Sequence, residues 1–156
     1  MPRVSIGKPV PDFKLPVTDG KTVRLSELQG QNVVLYFYPK DNTTGCTLEA
    51  QAFRTNQAKF TRLHTMILGV SRDSVKSHEN FRRKYGLKFD LLSDENESVC
   101  KLFGVMKMKS MYGRKFRGIE RSTFLIDARG ILRQEWRKVV VKGHAEEVLK
   151  AIEAVD

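Results

Sequence analysis

The sequence predicts an α/β fold with a mixed central sheet and helices on both faces, and three observations carry that reading. Strand and helix patterns alternate through the first two thirds of the chain, an antiparallel hairpin pattern follows, and one strand segment is apolar without alternation. Uninterrupted β-branched and aromatic residues suit a strand covered on both sides, and the order of parallel-type units before a hairpin suits a sheet of mixed sense.

All five prolines lie at or before Pro39, so the N-terminal segment is expected to form short extended pieces and turns. The apolar run Val33 to Tyr38 is the central strand. After it, Cys46, Ala50, Phe53 and Phe60 fall at i, i+4, i+7 and i+14, one face of a helix that runs to about His64 and holds Cys46 in its first turn. Met66 to Val70 is a second strand and Ser74 to Tyr85 a second helix, with Ser74 or Asp73 as N-cap and Gly86 just past its end. Leu91-Leu92 is a short strand, and Val99, Leu102 and Phe103 share one side of a short helix closed by Gly104. Thr123 to Ile126 and Ile131 to Trp136 flank Asp127-Ala128-Arg129-Gly130 as a β-hairpin, and His144 to Ala154 is the last helix.

At 156 residues, one domain covering 1–156 is expected. Hydrophobic residues at 40% and charged residues at 29% match a globular chain and exclude a disordered or collagenous one. No apolar run approaches the roughly 18 residues of a membrane span, and the opening MPRVSIGKPVPDF lacks the features of a secretory signal. A cytoplasmic location, without membrane association, is expected. Two cysteines, Cys46 and Cys100, are too few for a disulfide scaffold and should rest as thiols in a reducing compartment.

The formal charge of +10 raises nucleic acid as a partner. Between Lys101 and Arg121 stand seven basic residues and one acidic, Glu120, a local balance of +6. A solvated basic loop accounts for this, and no zinc spacing, glycine-rich phosphate loop or aromatic RNA-binding motif accompanies it, so no specific nucleic-acid partner is expected. His64, His78 and His144 show no paired-ligand spacing, are expected to be surface or capping residues, and give no metal site. No cofactor is expected.

The chemistry gathers around Cys46. A strand-to-helix junction leaves unpaired N–H groups and the positive end of the helix dipole, which favour an anion, and the thiolate is the reactive form of cysteine. Taken alone, a cysteine there is more often a small buried apolar residue. Its neighbours decide: Pro39, Thr43 and Cys46 resemble the peroxiredoxin active-site pattern, and Phe37-Tyr38-Pro39-Lys40-Asp41-Asn42-Thr43 with Gly45-Cys46-Thr47 is similar to the peroxiredoxin Q, or bacterioferritin comigratory protein, branch. The likeness runs along the chain, from Gly7-Lys8-Pro9-Val10-Pro11-Asp12-Phe13 to Arg121-Ser122-Thr123-Phe124-Leu125-Ile126-Asp127. Thr44 departs from it, standing where the branch usually has a proline.

The resemblance implies a thioredoxin-like fold and a peroxidase that reduces hydrogen peroxide and organic hydroperoxides through a sulfenic acid at Cys46. It implies that Arg121 stabilises the thiolate and orients the peroxide, that Thr43 hydrogen-bonds the peroxide, that Pro39 shields the sulfur, and that Glu49 positions the arginine. Each also has a plainer reading: a basic-loop residue, a turn or cap, a strand terminator, and an acid well placed on the helix dipole. A thioredoxin-type oxidoreductase would need Cys-x-x-Cys, and the residues three before and three after Cys46 are Thr43 and Glu49.

The usual resolving positions of the branch are filled by Gln51 and Arg82. Cys100 remains as a possible resolving residue, although its apolar helix suits a buried structural thiol, and reaching Cys46 would require local unfolding. A one-cysteine cycle is therefore expected, with a low-molecular-weight thiol or a thioredoxin-like protein as reductant, in a monomer or weak dimer.

Overall fold

The computed structural model describes residues 3–155. Its elements in chain order are β1 (Lys14–Pro16), β2 (Thr22–Arg24), a 3₁₀ turn (Leu25–Leu28), β3 (Asn32–Phe37), α1 (Thr44–Arg62), β4 (Thr65–Ser71), α2 (Val75–Tyr85), β5 (Asp90–Ser93), α3 (Ser98–Leu102), β6 (Met106–Met111), β7 (Arg114–Ile119), β8 (Ser122–Ile126), β9 (Leu132–Arg137) and α4 (His144–Glu153).

A five-stranded sheet in the order β5-β4-β3-β8-β9 is the centre of the molecule. β4 pairs in parallel with β3 and β5, while β8 pairs antiparallel with β3 and β9, which makes the sheet mixed as the sequence predicts. Every residue of β3 is buried, and its side chains divide between two cores. Val33, Leu35 and Phe37 enter one cluster with Phe103, Phe124 and Leu132, while Val34, Tyr36 and Tyr38 enter the other with Phe53, Phe60, Phe81, Val148 and Ile152. Each buried aromatic or aliphatic side chain of this kind contributes about 1.5–3 kcal/mol of transfer free energy.

Helices cover both faces, but unevenly. β3-α1-β4 and β4-α2-β5 step outward in the same direction, so the right-handed crossover rule puts α1 and α2 on one face, where α4 joins them. The other face is closed by α3, by Val105 and Ile119, and by the N-terminal segment through Val4, Leu15, Val17 and Leu25.

Helix boundaries follow local chemistry. The Ser74 hydroxyl accepts from the Ser77 N–H at 3.1 Å to start α2, and Gly86 ends it in the left-handed region at φ 62°. In the β8–β9 turn, Asp127 Oδ1 accepts from the N–H groups of Arg129 and Ile131, and Gly130 takes φ 83°.

Two expectations are corrected. The stretch from Lys101 to Arg121 is not a loop: most of it is the β6–β7 hairpin, turning at Tyr112 and Gly113, both at positive φ. The period-two signal Met106-Lys107-Met108-Lys109 was present, but methionine lacks the β-branched or aromatic signature of a strand and Tyr-Gly is not a usual hairpin turn. Nor are all three histidines at the surface. His64 is exposed, whereas His78 and His144 are buried; His78 lies three residues before Phe81 on the inner side of α2, and His144 Nε2 meets Thr123 Oγ1 at 2.8 Å.

Gly69 in β4 stands between Tyr36 of β3 and Leu91 of β5. The Tyr36 ring, stacked on Phe53 at 4.7 Å, lies so close that a Cβ on residue 69 would meet Tyr36 Cζ at 2.9 Å and Leu91 Cδ2 at 2.8 Å. Gly69→Ala should therefore lower the unfolding free energy by about 1–3 kcal/mol, as overpacking of a fixed core does. A urea melt checks this, and an unchanged midpoint would show that the Tyr36 ring can shift freely.

Candidate active site

The register of β3 against β8 assembles the site. Phe37 pairs with Ser122, so Arg121, the residue just before β8, comes level with Tyr38, the residue just after β3. The chain leaving β3 passes through Pro39, half-buried, and enters α1 at Thr44 after six residues. Strand pairing thus brings together segments 75 residues apart in sequence.

Cys46 is the third residue of α1 and is 1% exposed. Arg121 Nη2 donates to its Sγ at 3.5 Å, and Nη1 of the same guanidinium donates to Glu49 Oε1 at 2.6 Å. Glu49 lies three residues along the helix, buried. One planar cation therefore spans the sulfur and the carboxylate, which a point charge on a flexible stem would not do. Glu49 Oε2 has no hydrogen-bond partner among the described residues.

Burial pushes the Glu49 carboxyl up to about 7, although Arg121 draws it down. For Arg121 burial opposes the charge, but the Glu49 carboxylate and the Cys46 sulfur outweigh it and raise the guanidinium above its ordinary range. Arg121 stays charged, and the pairing of Glu49 with it depends on pH.

Thr43 occupies the N-cap position of α1, but its side chain does not cap: the hydroxyl donates to the Lys40 carbonyl at 2.8 Å. The first helical bond runs from the Thr47 N–H to the Thr43 carbonyl at 2.9 Å. No side chain among the described residues occupies the N–H groups of the first turn, which leaves them to an anion beside Cys46. With Asn42 at φ 64°, the segment 39–43 forms a tight turn that delivers Thr43 to the helix start.

Of the residues predicted from sequence, Arg121 contacts both Cys46 and Glu49, and Pro39 and Thr43 sit on the loop entering the helix. Cys100 stands apart. It belongs to the core cluster on the opposite face of the sheet from Cys46, and both thiols are free. Its own N–H donates to Asp94 Oδ2 at 2.7 Å; burial, and then the Asp94 carboxylate, push its thiol well above the ordinary range.

Two features escape a reading by motif alone. Gly45 lets the guanidinium lie against the helix, because a Cβ there would be 3.0 Å from Arg121 Nη2. The signal available was a glycine inside a helix's first turn, where it costs helix stability unless something approaches closely. The other is the set of buried polar groups around Asp41, for which the only sequence cue was a histidine at helical spacing from Phe81.

Comparison with known proteins agrees with this geometry. Residues 6–135 match the AhpC/TSA family. The chain is 47% identical to Peroxiredoxin Bcp of Bacillus subtilis over 149 residues, covering 96% of this chain and 95% of that one. It superposes with a TM-score of 0.87 at 48% identity on the Xanthomonas campestris bacterioferritin comigratory protein, solved in connection with alkyl peroxide reduction, over 91% of this chain and 90% of that one. It superposes with a TM-score of 0.91 at 43% identity on a mutant of Xylella fastidiosa PrxQ, over 97% and 96% of the two chains. A cysteine at a helix start faced by an arginine, on a thioredoxin-like sheet and with these relatives along nearly its whole length, shows that the chain belongs to the AhpC/TSA family, as a peroxiredoxin of the Bcp or Q branch and a thiol-dependent peroxidase.

Proposed function

We propose that this peroxidase works by a one-cysteine cycle in which Cys46 attacks the peroxide and an external thiol restores it. The observation that carries the reading is the Arg121 Nη2 contact with Cys46 Sγ at the N-terminus of α1. The Cys46 thiolate attacks one oxygen of the O–O bond, forming S–O and releasing the other oxygen as an alkoxide or hydroxide that takes a proton to leave as alcohol or water. Arg121 and the free N–H groups of the first turn stabilise the charge that develops on the leaving oxygen. The Thr43 hydroxyl, which donates to Lys40, accepts a hydrogen bond from the bound peroxide. Glu49 fixes the guanidinium, and Pro39 limits the access of water to the sulfur.

Cys46 is now a sulfenic acid. A first external thiol condenses with it, releasing water and leaving a mixed disulfide; a second thiol attacks that disulfide and frees the Cys46 thiol. The position of Cys100 across the sheet supports this route over an internal disulfide, since the two Cα atoms would have to come within about 7 Å. Hydrogen peroxide and organic hydroperoxides are the substrates, the latter in keeping with the alkyl peroxide reduction of the Xanthomonas campestris relative. The reductant is a thioredoxin-like protein or a small thiol. We place the reaction in the cytoplasm, in keeping with two unpaired thiols, in a monomer or weak dimer of one domain, without a specific nucleic-acid partner; no described helix is long and apolar enough to cross a membrane.

Cys46→Ser should abolish peroxide consumption with the fold intact, and Cys100→Ser should keep most of the activity supported by an external thiol. Intact mass after one equivalent of peroxide should show added oxygen in the wild type; loss of two hydrogens, with turnover lost in Cys100→Ser, would make Cys100 the resolving residue.

Arg121→Ala should slow peroxide oxidation by about 10²–10³, the usual scale for removing a donor from a developing oxyanion, and Arg121→Lys should recover only part of it. Stopped-flow rates equal to wild type in both variants would remove Arg121 from the site.

The raised carboxyl of Glu49 gives a signed pH prediction. Above about 7 the carboxylate pairs with Arg121; below it the protonated acid holds the guanidinium less firmly. The wild-type to Glu49→Gln rate ratio should therefore rise as pH increases through about 7. The stability contribution runs the other way: a pKa raised from 4.5 to about 7 favours the fold fully below 4.5 and is lost as pH rises through about 7. A flat rate ratio would deny Glu49 its positioning role.

A further inference from the structure

The loop that delivers Thr43 to Cys46 is tied to the rest of the molecule through one residue, Asp41. Its carboxylate is buried and accepts three hydrogen bonds: from Tyr38 Oη to Oδ1 at 2.6 Å, from Ser77 Oγ to Oδ2 at 2.8 Å, and in the contact of Oδ2 with His78 Nδ1 at 2.7 Å. Its backbone N–H donates to Asp73 Oδ2 at 2.9 Å, which also accepts from Ser71 Oγ at 2.6 Å.

His78 is the least replaceable member of this set. It is fully buried, and each ring nitrogen faces an acceptor: Nδ1 faces Asp41, and Nε2 lies 3.0 Å from the Leu92 carbonyl of β5. A neutral hydroxyl such as Ser77 holds one end of the network, whereas the imidazole spans two. Asp41, Asp73 and His78 each bring a ligand-capable atom within 4.8 Å of the others, but those atoms are occupied by the hydrogen bonds just given. The cluster is a tether between β5, α2 and the loop 39–43.

We infer that His78 is a positioning residue for the peroxide reaction, holding Pro39 and Thr43 against Cys46 through Asp41. This rests on the Cys46 mechanism proposed above. The chemical logic is that attack on O–O needs an aligned peroxide, and a misplacement of about 1 Å can cost about a hundredfold, while the nucleophilicity of the sulfur comes from Arg121 and the helix start, which His78 does not touch. Loss of His78 should impair peroxide alignment more than thiolate reactivity.

Two rates on folded protein separate these effects: peroxide oxidation of Cys46 by stopped flow, and its alkylation by iodoacetamide, which needs the thiolate but not the peroxide geometry. His78→Leu should slow peroxide oxidation by about tenfold or more and alkylation by less than about twofold. His78→Asn, whose amide can still donate to Asp41, should recover part of the loss. In a double-mutant cycle, His78→Leu should add little to Asp41→Asn, because both act through one contact. Wild-type peroxide rates in His78→Leu, equal loss in both rates, or full additivity with Asp41→Asn would each overturn the inference. Should His78→Leu fail to fold, the two rates in Asp41→Asn decide alone. Failure of the underlying mechanism is distinct, since it would appear as turnover by Cys46→Ser.

Discussion

Everything near the reactive sulfur depends on the antiparallel pairing of β3 with β8. β3 is buried on both faces, so its position in the sheet is fixed from both sides, and its register against β8 fixes where Arg121 begins. A slip of one residue would exchange the side chains that β3 sends to its two cores and carry Arg121 away from the helix start. The contact between Arg121 and Cys46 is therefore a consequence of core packing, and the core aromatics on each side of β3 serve the chemistry without touching it.

The same pairing explains a costly feature. Glu49 is buried beside Arg121 with one oxygen unpaired, and a buried ion pair seldom outweighs the desolvation of its members. Well-packed apolar residues at both positions would often be as stable or more so. What the pair supplies is a guanidinium that cannot swing away, restrained by Glu49 on one side and by the close approach of Gly45 on another. Such fixed orientation means little reorganisation is needed when charge develops during the reaction.

How much of this was legible in the chain varied with the kind of signal. Val33 to Tyr38 was readable because its lack of alternation has one physical meaning, and α2 because Ser74 and Gly86 mark its ends. Cys46, Arg121 and Glu49 were legible only through family resemblance, since no periodicity links positions 46 and 121; the register that joins them is a property of the folded sheet. The β6–β7 hairpin was lost because its strands are built of methionine and lysine, and its exposed side chains carry no burial pattern. His78 differs for the opposite reason: a lone histidine looks polar, yet polar partners inside the fold, Asp41 and the Leu92 carbonyl, face both of its ring nitrogens.

The two cysteines show how one fold places a single residue type in two different surroundings. Both are buried, so exposure does not distinguish them. Cys46 has the Arg121 guanidinium and the N-terminus of a nineteen-residue helix beside its sulfur. Cys100 lies in the five-residue α3, where burial first and then the Asp94 carboxylate raise the cost of a negative charge on its sulfur. The central sheet lies between the two cores that hold them. Under the proposed one-cysteine cycle, the arrangement that sets Arg121 against Cys46 serves the first half, and a thiol outside the chain completes the second.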